Sequence, residues 1–304
     1  MQKSIILAAA IAVSVGVANA QITPNSEWYN GDSKITCSSV SGNTIKCQYE
    51  YWGEESESIT LTKTANNVFS VQGESFARIK TAEYRVVDGH KLLLFKDSKG
   101  NIFNTFERSD DDMWEPQILK CYHYIIDGEY VDEKGIKYTI NGDEFVMGGK
   151  KLNFSIQPDT YYLMEMSDNN SYWWKVSTTG INIYRVSDGE YGPVPGALWH
   201  KLKNVSPNGR WAFLSKEIVP ETTMWRFHSP LIRIMRNEIY ARHGYVFNSA
   251  DLKDYFGKQP WYKPLNNNAA VKLSAIETLN VEILKGNIAA REGTDDEEIE
   301  EGLK

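Results

Sequence analysis

The chain has 304 residues, a formal net charge of −7, and a composition of 41% hydrophobic, 12% aromatic and 24% charged residues. That balance describes a globular protein, too apolar for a disordered chain and too acidic for a nucleic-acid surface. Three cysteines are too few to staple a disulfide-scaffolded fold.

The first element is not part of the fold. Met1-Gln2-Lys3-Ser4 is a short positive start, Ile5 to Val17 is apolar, and Ala18-Asn19-Ala20 has the small-x-small pattern of a cleavage site. This predicts a signal peptide over residues 1–20, cleaved after Ala20 to expose Gln21, and a periplasmic or secreted mature chain. The apolar run is too short for a spanning helix, and no later segment has the length of a membrane span.

In that oxidising setting, Cys37 and Cys47 flank Ser41-Gly42-Asn43, a turn between two short β-prone runs. A hairpin there places the two cysteines opposite each other and predicts a Cys37–Cys47 disulfide. Cys121 is left over and reads as a small buried apolar residue.

From residue 22 to 225 the chain reads as strands and turns. Ile59–Thr62 alternates, and Tyr84–Val87 and Leu92–Phe95 flank the hairpin signal Asp88-Gly89. The grammar returns after Asp127: Gly128–Tyr130, Gly135–Ile140, the turn Asn141-Gly142, Glu144–Met147, Gly148-Gly149, then Leu152–Ile156. Tyr161–Met166, Tyr172–Val176, Ile181–Tyr184 and Trp199–Leu202 follow. Tyr84…Leu92…Phe106 lines up with Trp174…Ile181…Trp199, so two units of about 80 residues are expected, each an antiparallel barrel or curved sheet that avoids bare edges. The second is similar to the lipocalin-like β domains of exported proteins. Asp110–Asp112 and Trp114-Glu115-Pro116 read as the linker.

Chemistry-bearing patterns are sparse here. His90, His123, His200, His228 and His243 form neither HxxxH nor HExxH, and no Gly-x-Ser-x-Gly elbow or phosphate-cradling loop occurs. No metal and no cofactor is expected. Glu54, Glu55 and Glu57 read as a solvated loop. Trp52, Trp173, Trp174, Trp199 and Trp261 offer flat faces for sugars or apolar ligands, although Trp173 and Trp174 must face opposite sides of one strand.

The C-terminal part is helical. Ser229-Pro230 reads as an N-cap followed by a proline at the first helical position, and Leu231, Met235 and Ile239, with Ile232, form an apolar stripe. Arg242 and His243 sit in the last turn, and Gly244 takes the left-handed stop position. A second helix starts at Asn248 or Ser249 and ends at Gly257. Pro260-Trp261-Tyr262-Lys263-Pro264 is a rigid aromatic corner, and Ser274-Ala275-Ile276-Glu277 is a capping box opening a third helix with Ile276, Leu279 and Ile283. Residues 295–304 hold six acidic residues and one base, Lys304, and read as a solubilising tail.

The run Asn237-Glu238-Ile239-Tyr240-Ala241-Arg242-His243-Gly244, with the Tyr255-Phe256 helix, the aromatic corner and the capped helix, resembles the YARHG domain across about residues 229–290. The resemblance implies a bacterial protein working outside the cytoplasm, and it assigns no reaction. Glu238, Tyr240, Arg242 and His243 could converge on a ligand. The competing reading makes Glu238 and Arg242 an i, i+4 ion pair, packs Tyr240 on Trp261, and leaves His243 as a dipole-complementing cap.

The expected organisation is α+β: signal peptide 1–20, β domain 21–112, lipocalin-like β domain 113–225, three-helix module 226–292 and disordered tail 293–304. The expected role is non-catalytic binding of a glycan, peptide or protein of the cell envelope. Candidate residues are Glu238, Tyr240, Arg242, His243, Trp261, Trp173 and Trp174. A carrier of a small apolar molecule and a hydrolase with an unrecognised site are the alternatives.

Overall fold

The protein is described by a computed structural model covering residues 22–31, 33–51, 55–109, 125–156, 163–166, 170–189, 192–219 and 227–291. The expected signal peptide, tail and 110–116 linker, with Trp52, Glu54, Cys121 and His123, lie outside these residues.

Eight antiparallel strands form the first barrel: β1 (Glu27–Asn30), β2 (Ser33–Ser41), β3 (Thr44–Tyr51), β4 (Glu57–Ala65), β5 (Val68–Gln72), β6 (Thr81–Val87), β7 (His90–Lys96) and β8 (Ile102–Ser109). Each strand pairs with the next, and β8 returns to β1 with Ser109 opposite Glu27. The turns obey local chemistry. Asp88 and Gly89 both adopt positive φ, 47° and 92°, the pair of left-handed residues that a two-residue hairpin requires. β1 and β5 are additions to the strands expected from sequence, too short or too plain to announce themselves.

The second barrel repeats the topology with β9 (Gly128–Val131), β10 (Lys137–Asn141), β11 (Glu144–Met147), β12 (Lys150–Ile156), β13 (Leu163–Met166), β14 (Ser171–Val176), β15 (Gly180–Gly189) and β16 (Gly192–Asn204), closed by β16 on β9. The three sequence stretches that align between the halves fall on the sixth, seventh and eighth strands of each barrel. They therefore occupy equivalent places in the two barrels.

Aromatic side chains fill both lumens. In the first, Tyr49, Phe76, Phe95 and Phe106 follow one another with ring centroids 4.9, 5.1 and 5.3 Å apart. In the second, Trp174 lies 5.6 Å from Phe145 and stacks on Phe154 at 5.7 Å. Eight strands enclose a space about one layer of side chains wide, and these rings occupy it.

Three helices follow: α1 (Ser229–Arg242), α2 (Ala250–Gly257) and α3 (Ala275–Ala290). The expected stripe of α1 is buried throughout, and the α3 capping box is formed in both directions, Ser274 accepting from the Glu277 N–H and Glu277 accepting from the Ser274 N–H. One detail is corrected. His228 is the cap of α1, and Ser229 is already helical, so Pro230 does not occupy the first position. Proline needs only a free N–H slot, and the whole first turn offers one.

The helices do not stand apart. Residues Leu92 to Phe95 are a continuous apolar run in β7 that is buried on both faces. Leu93 and Phe95 point into the first barrel, whereas Leu92 and Leu94, with Val87 and Ile102, join the core that includes α1, α3 and the second barrel's interior. α3 lies against β8 so closely that a Cβ on Gly286 would stand 1.8 Å from the Ile102 carbonyl oxygen. Arg85 of β6 donates to Glu282 of α3 at 2.7 Å beside that contact. One apolar core thus runs from the outer wall of the first barrel, through the helices, into the second.

Cys37 and Cys47 are cross-strand partners in the β2–β3 register, buried, with sulfurs 3.3 Å apart. They stand here as two thiols. The Cys47 hydrogen bond lowers the Cys37 thiol's pKa and raises that of Cys47, with burial opposing the first shift and reinforcing the second.

Candidate functional site

Helix periodicity puts Glu238 and Arg242 on one side of α1, and their ion pair is present, at 3.6 Å. It is part of a larger arrangement. Both side chains turn onto the segment that leaves the second barrel, residues 211–219, which contains a short 3-10 turn at Ala212–Ser215. The Trp211 N–H donates to Glu238 Oε1 at 2.7 Å. Arg242 donates through Nη1 to the Trp211 carbonyl at 2.8 Å, and through Nη2 to the Ala212 carbonyl at 2.9 Å and Ser215 Oγ at 2.5 Å.

Helix α3 completes the grip. Asn280 Nδ2 donates to the carbonyls of Leu214 and Glu217, both at 2.8 Å, and its Oδ1 accepts from the Val219 N–H at 2.8 Å. Glu277 accepts the Ser215 hydroxyl and meets His243 Nε2 at 2.8 Å. The reason is backbone accounting. Trp211, Leu214 and Val219 are buried, and a 3-10 turn cannot satisfy all the polar groups of a buried segment by itself. The signature side chains supply what is missing.

Gly244 does a related job at the helix end. Its φ is +75°, and a Cβ there would come within 2.7 Å of the Lys263 carbonyl oxygen. The Leu265 N–H donates to the Gly244 carbonyl at 2.8 Å, and the Tyr262 hydroxyl donates to the Tyr245 carbonyl at 2.7 Å. Glycine therefore lets the aromatic corner dock on the end of α1.

Burial shapes the charges. It raises the pKa of Glu238 against the opposing pull of the Trp211 N–H and Arg242, and it lowers that of Arg242. At Glu277 burial pushes up, but the hydrogen bonds from Ser215, the Ser274 N–H and His243 together hold the carboxyl below its usual value.

Ser215, His243 and Glu277 invite comparison with a hydrolytic triad, and their order is wrong for one. The carboxylate stands between the hydroxyl and the imidazole, whereas a triad needs the imidazole in the middle to take the serine proton. Arg242 also donates to Ser215 Oγ, which makes that oxygen a poorer nucleophile. Among the described residues no group of three or more His, Cys, Asp and Glu side chains could hold a metal ion.

Tyr240 does not pack on Trp261 as expected. It lies against Tyr245, centroids 5.5 Å apart, while Trp261 meets Phe256 edge-on at 6.1 Å. Tyr240 and Arg242 project about 160° apart around the helix, since successive residues turn about 100°. Trp174 is buried inside the second barrel, and Trp173 on the same strand is half-buried. Trp199 stacks on Tyr172 at 4.2 Å with Arg185 over its ring at 5.9 Å.

Two of the expected residues, Arg242 and Trp261, share a surface groove of about 670 Å³, whose other walls include Val205, Pro207, Pro260 and Lys263. Arg242 has its donors committed to the 211–215 segment, so the groove's available groups are the half-buried Trp261 indole, the Asn208 amide and Lys263. Sequence reasoning did not find Trp211, Ser215 or Asn280, because their partnership with α1 and α3 spans long separations. Glu277 was visible as a capping residue, but its bond to His243 was not.

Residues 229–286 match the family model of the YARHG domain, a domain of extracytoplasmic proteins. Neither a curated protein nor a solved structure matches the chain significantly. No helix among the described residues is long and apolar enough to cross a membrane.

Proposed function

We propose that this chain is an exported, non-catalytic binding protein of the bacterial cell envelope. It passes the inner membrane with the signal peptide 1–20 and then works in the periplasm or outside the cell, with β domains at 21–112 and 113–225 and the helical module at 226–292. The ligand, a glycan or a peptide, lies in the groove beside Trp261. The observation that carries this is the indole itself: a half-buried ring forming one wall of a 670 Å³ groove, with Lys263 on the same groove. Flat rings beside a few polar groups are how proteins hold sugars and peptide side chains. The aromatic fill of both barrels favours this outer site over an internal apolar cargo.

The test is retention from cell-envelope extract by the mature protein, residues 21–304, compared with Trp261→Ala. Trp261 is only half-buried, so truncation should cost less than the about 3–5 kcal/mol of a fully buried tryptophan, and the variant should fold. A glycan or peptide held by the native protein and lost from the folded variant is the expected result. Equal retention by both would remove the groove from the function.

Export also implies that the facing Cys37 and Cys47 oxidise to a disulfide in the mature protein. Its intact mass should be lighter by two hydrogens than after reduction, and reduction should lower the melting temperature. An unchanged mass on reduction would show that the thiols stay free.

A further inference from the structure

A second site lies on the opposite side of α1. Arg236, Asn237, Tyr240, Tyr245, Val281 and Lys285 line a groove of about 500 Å³ between α1 and α3. Its central residue is anomalous. Arg236 is half-buried, and burial together with the neighbouring Arg233 depresses its pKa. Yet it has no ion pair and no hydrogen-bond acceptor among the described residues. The other basic groups of α1 and its C-cap are compensated: Arg233 by Asp251, Arg242 by Glu238, and His243 by Glu277. Lys258 is paired with Asp254 although it is exposed.

Partly desolvating a guanidinium without a partner is unfavourable, and an anion bound beside it would offset that cost. Lys285, on the facing helix, supplies a second cation with no carboxylate partner among the described residues. Tyr240 and Tyr245 form one wall with their rings 5.5 Å apart, and Val281 adds an apolar surface. Nearby Glu282 is drawn off by Arg85, so it does not neutralise the pair. In a chain of net charge −7, this is a local concentration of positive charge against aromatic rings.

We infer that this groove binds an anionic saccharide, its carboxylate or phosphate held between Arg236 and Lys285 and a face of the sugar ring on Tyr240 and Tyr245. The guanidinium fork suits either oxyanion bidentately, and the lysine adds a point charge. The site is independent of the Trp261 groove.

The experiment is titration of the mature protein, followed by NMR shifts and calorimetry, with glucuronate and glucose phosphate as probes. Glucose and inorganic phosphate serve as the neutral and sugar-free controls. Both anionic sugars should bind, at least about tenfold tighter than either control, and the tighter of the two identifies carboxylate or phosphate as the preferred group. Arg236→Gln and Lys285→Gln should each weaken them about tenfold or more, with affinity falling as salt rises. Removing an uncompensated charge should also leave the unliganded Arg236→Gln protein melting at or above the native temperature, so loss of binding is not loss of fold. Glucose binding as well as glucuronate, inorganic phosphate binding as well as glucose phosphate, or undiminished binding by Arg236→Gln would overturn the assignment.

Discussion

Glu238→Ala should destabilise the protein by about 3 kcal/mol, the lower end of what removing one member of a buried ion pair costs. The carboxylate is almost wholly buried, it takes the Trp211 N–H at 2.7 Å, and it faces Arg242 at 3.6 Å. Its loss leaves a buried N–H without an acceptor and a mostly buried guanidinium without its counter-charge. Arg242 keeps its bonds to two carbonyls and to Ser215, which is why the effect stays at the lower end. Glu238→Gln separates the two contributions. The amide oxygen still accepts from Trp211, so the variant should recover more than half of the lost stability. Burial raises the pKa of Glu238 against the pull of the Trp211 N–H and Arg242, so the charge gains less in the fold than its hydrogen bond does, and the neutral isostere should be the milder change. Denaturant unfolding measures both variants. If Glu238→Ala and Glu238→Gln melt together near the native protein, the clamp on the 211–219 segment is not what the signature residues provide.

Gly286→Val should cost about 3 kcal/mol, at the upper end of what forcing atoms into a packed interface costs. Here the obstacle is backbone: the added Cβ would meet the Ile102 carbonyl oxygen at 1.8 Å, so α3 must lift from β8. Gly286→Ala makes the sign decisive. On an unobstructed helix it would stabilise by up to about 1 kcal/mol, because alanine is the better helix former. Against β8 it should destabilise instead. A more stable Gly286→Ala protein would mean that α3 does not sit on the first barrel, and that the helical module is tethered rather than docked.

Much of the local structure was legible. The Asp88-Gly89 turn, the apolar stripe of α1, the left-handed Gly244 and the Ser274–Glu277 capping box all follow from rules that act within a few residues, and each is present. Leu92–Phe95 carried a subtler message. A run of apolar residues without alternation marks a strand buried on both faces, and β7 gives Leu92 and Leu94 to the core shared with the helices and Leu93 and Phe95 to the barrel interior. The alignment of Tyr84, Leu92 and Phe106 with Trp174, Ile181 and Trp199 likewise marks matching strand positions in the two barrels.

The candidate site was legible only as a set of residue types. The sequence by itself determined the α+β order, most of the barrel-forming strands, the glycine end of α1, the capped start of α3 and the spacing that pairs Glu238 with Arg242, because spacing along one strand or helix settles those. Only the tertiary structure decided what the signature faces. Trp211 meets Glu238 across 27 residues and Ser215 meets Glu277 across 62, and no local period encodes such meetings. It also decided that Tyr240 turns to Arg236 and Tyr245 rather than to Trp261, and that the helices share one core with both barrels. The physical reason is the same in each case. Buried backbone groups and apolar faces must find partners, and which partner is near depends on how whole elements pack.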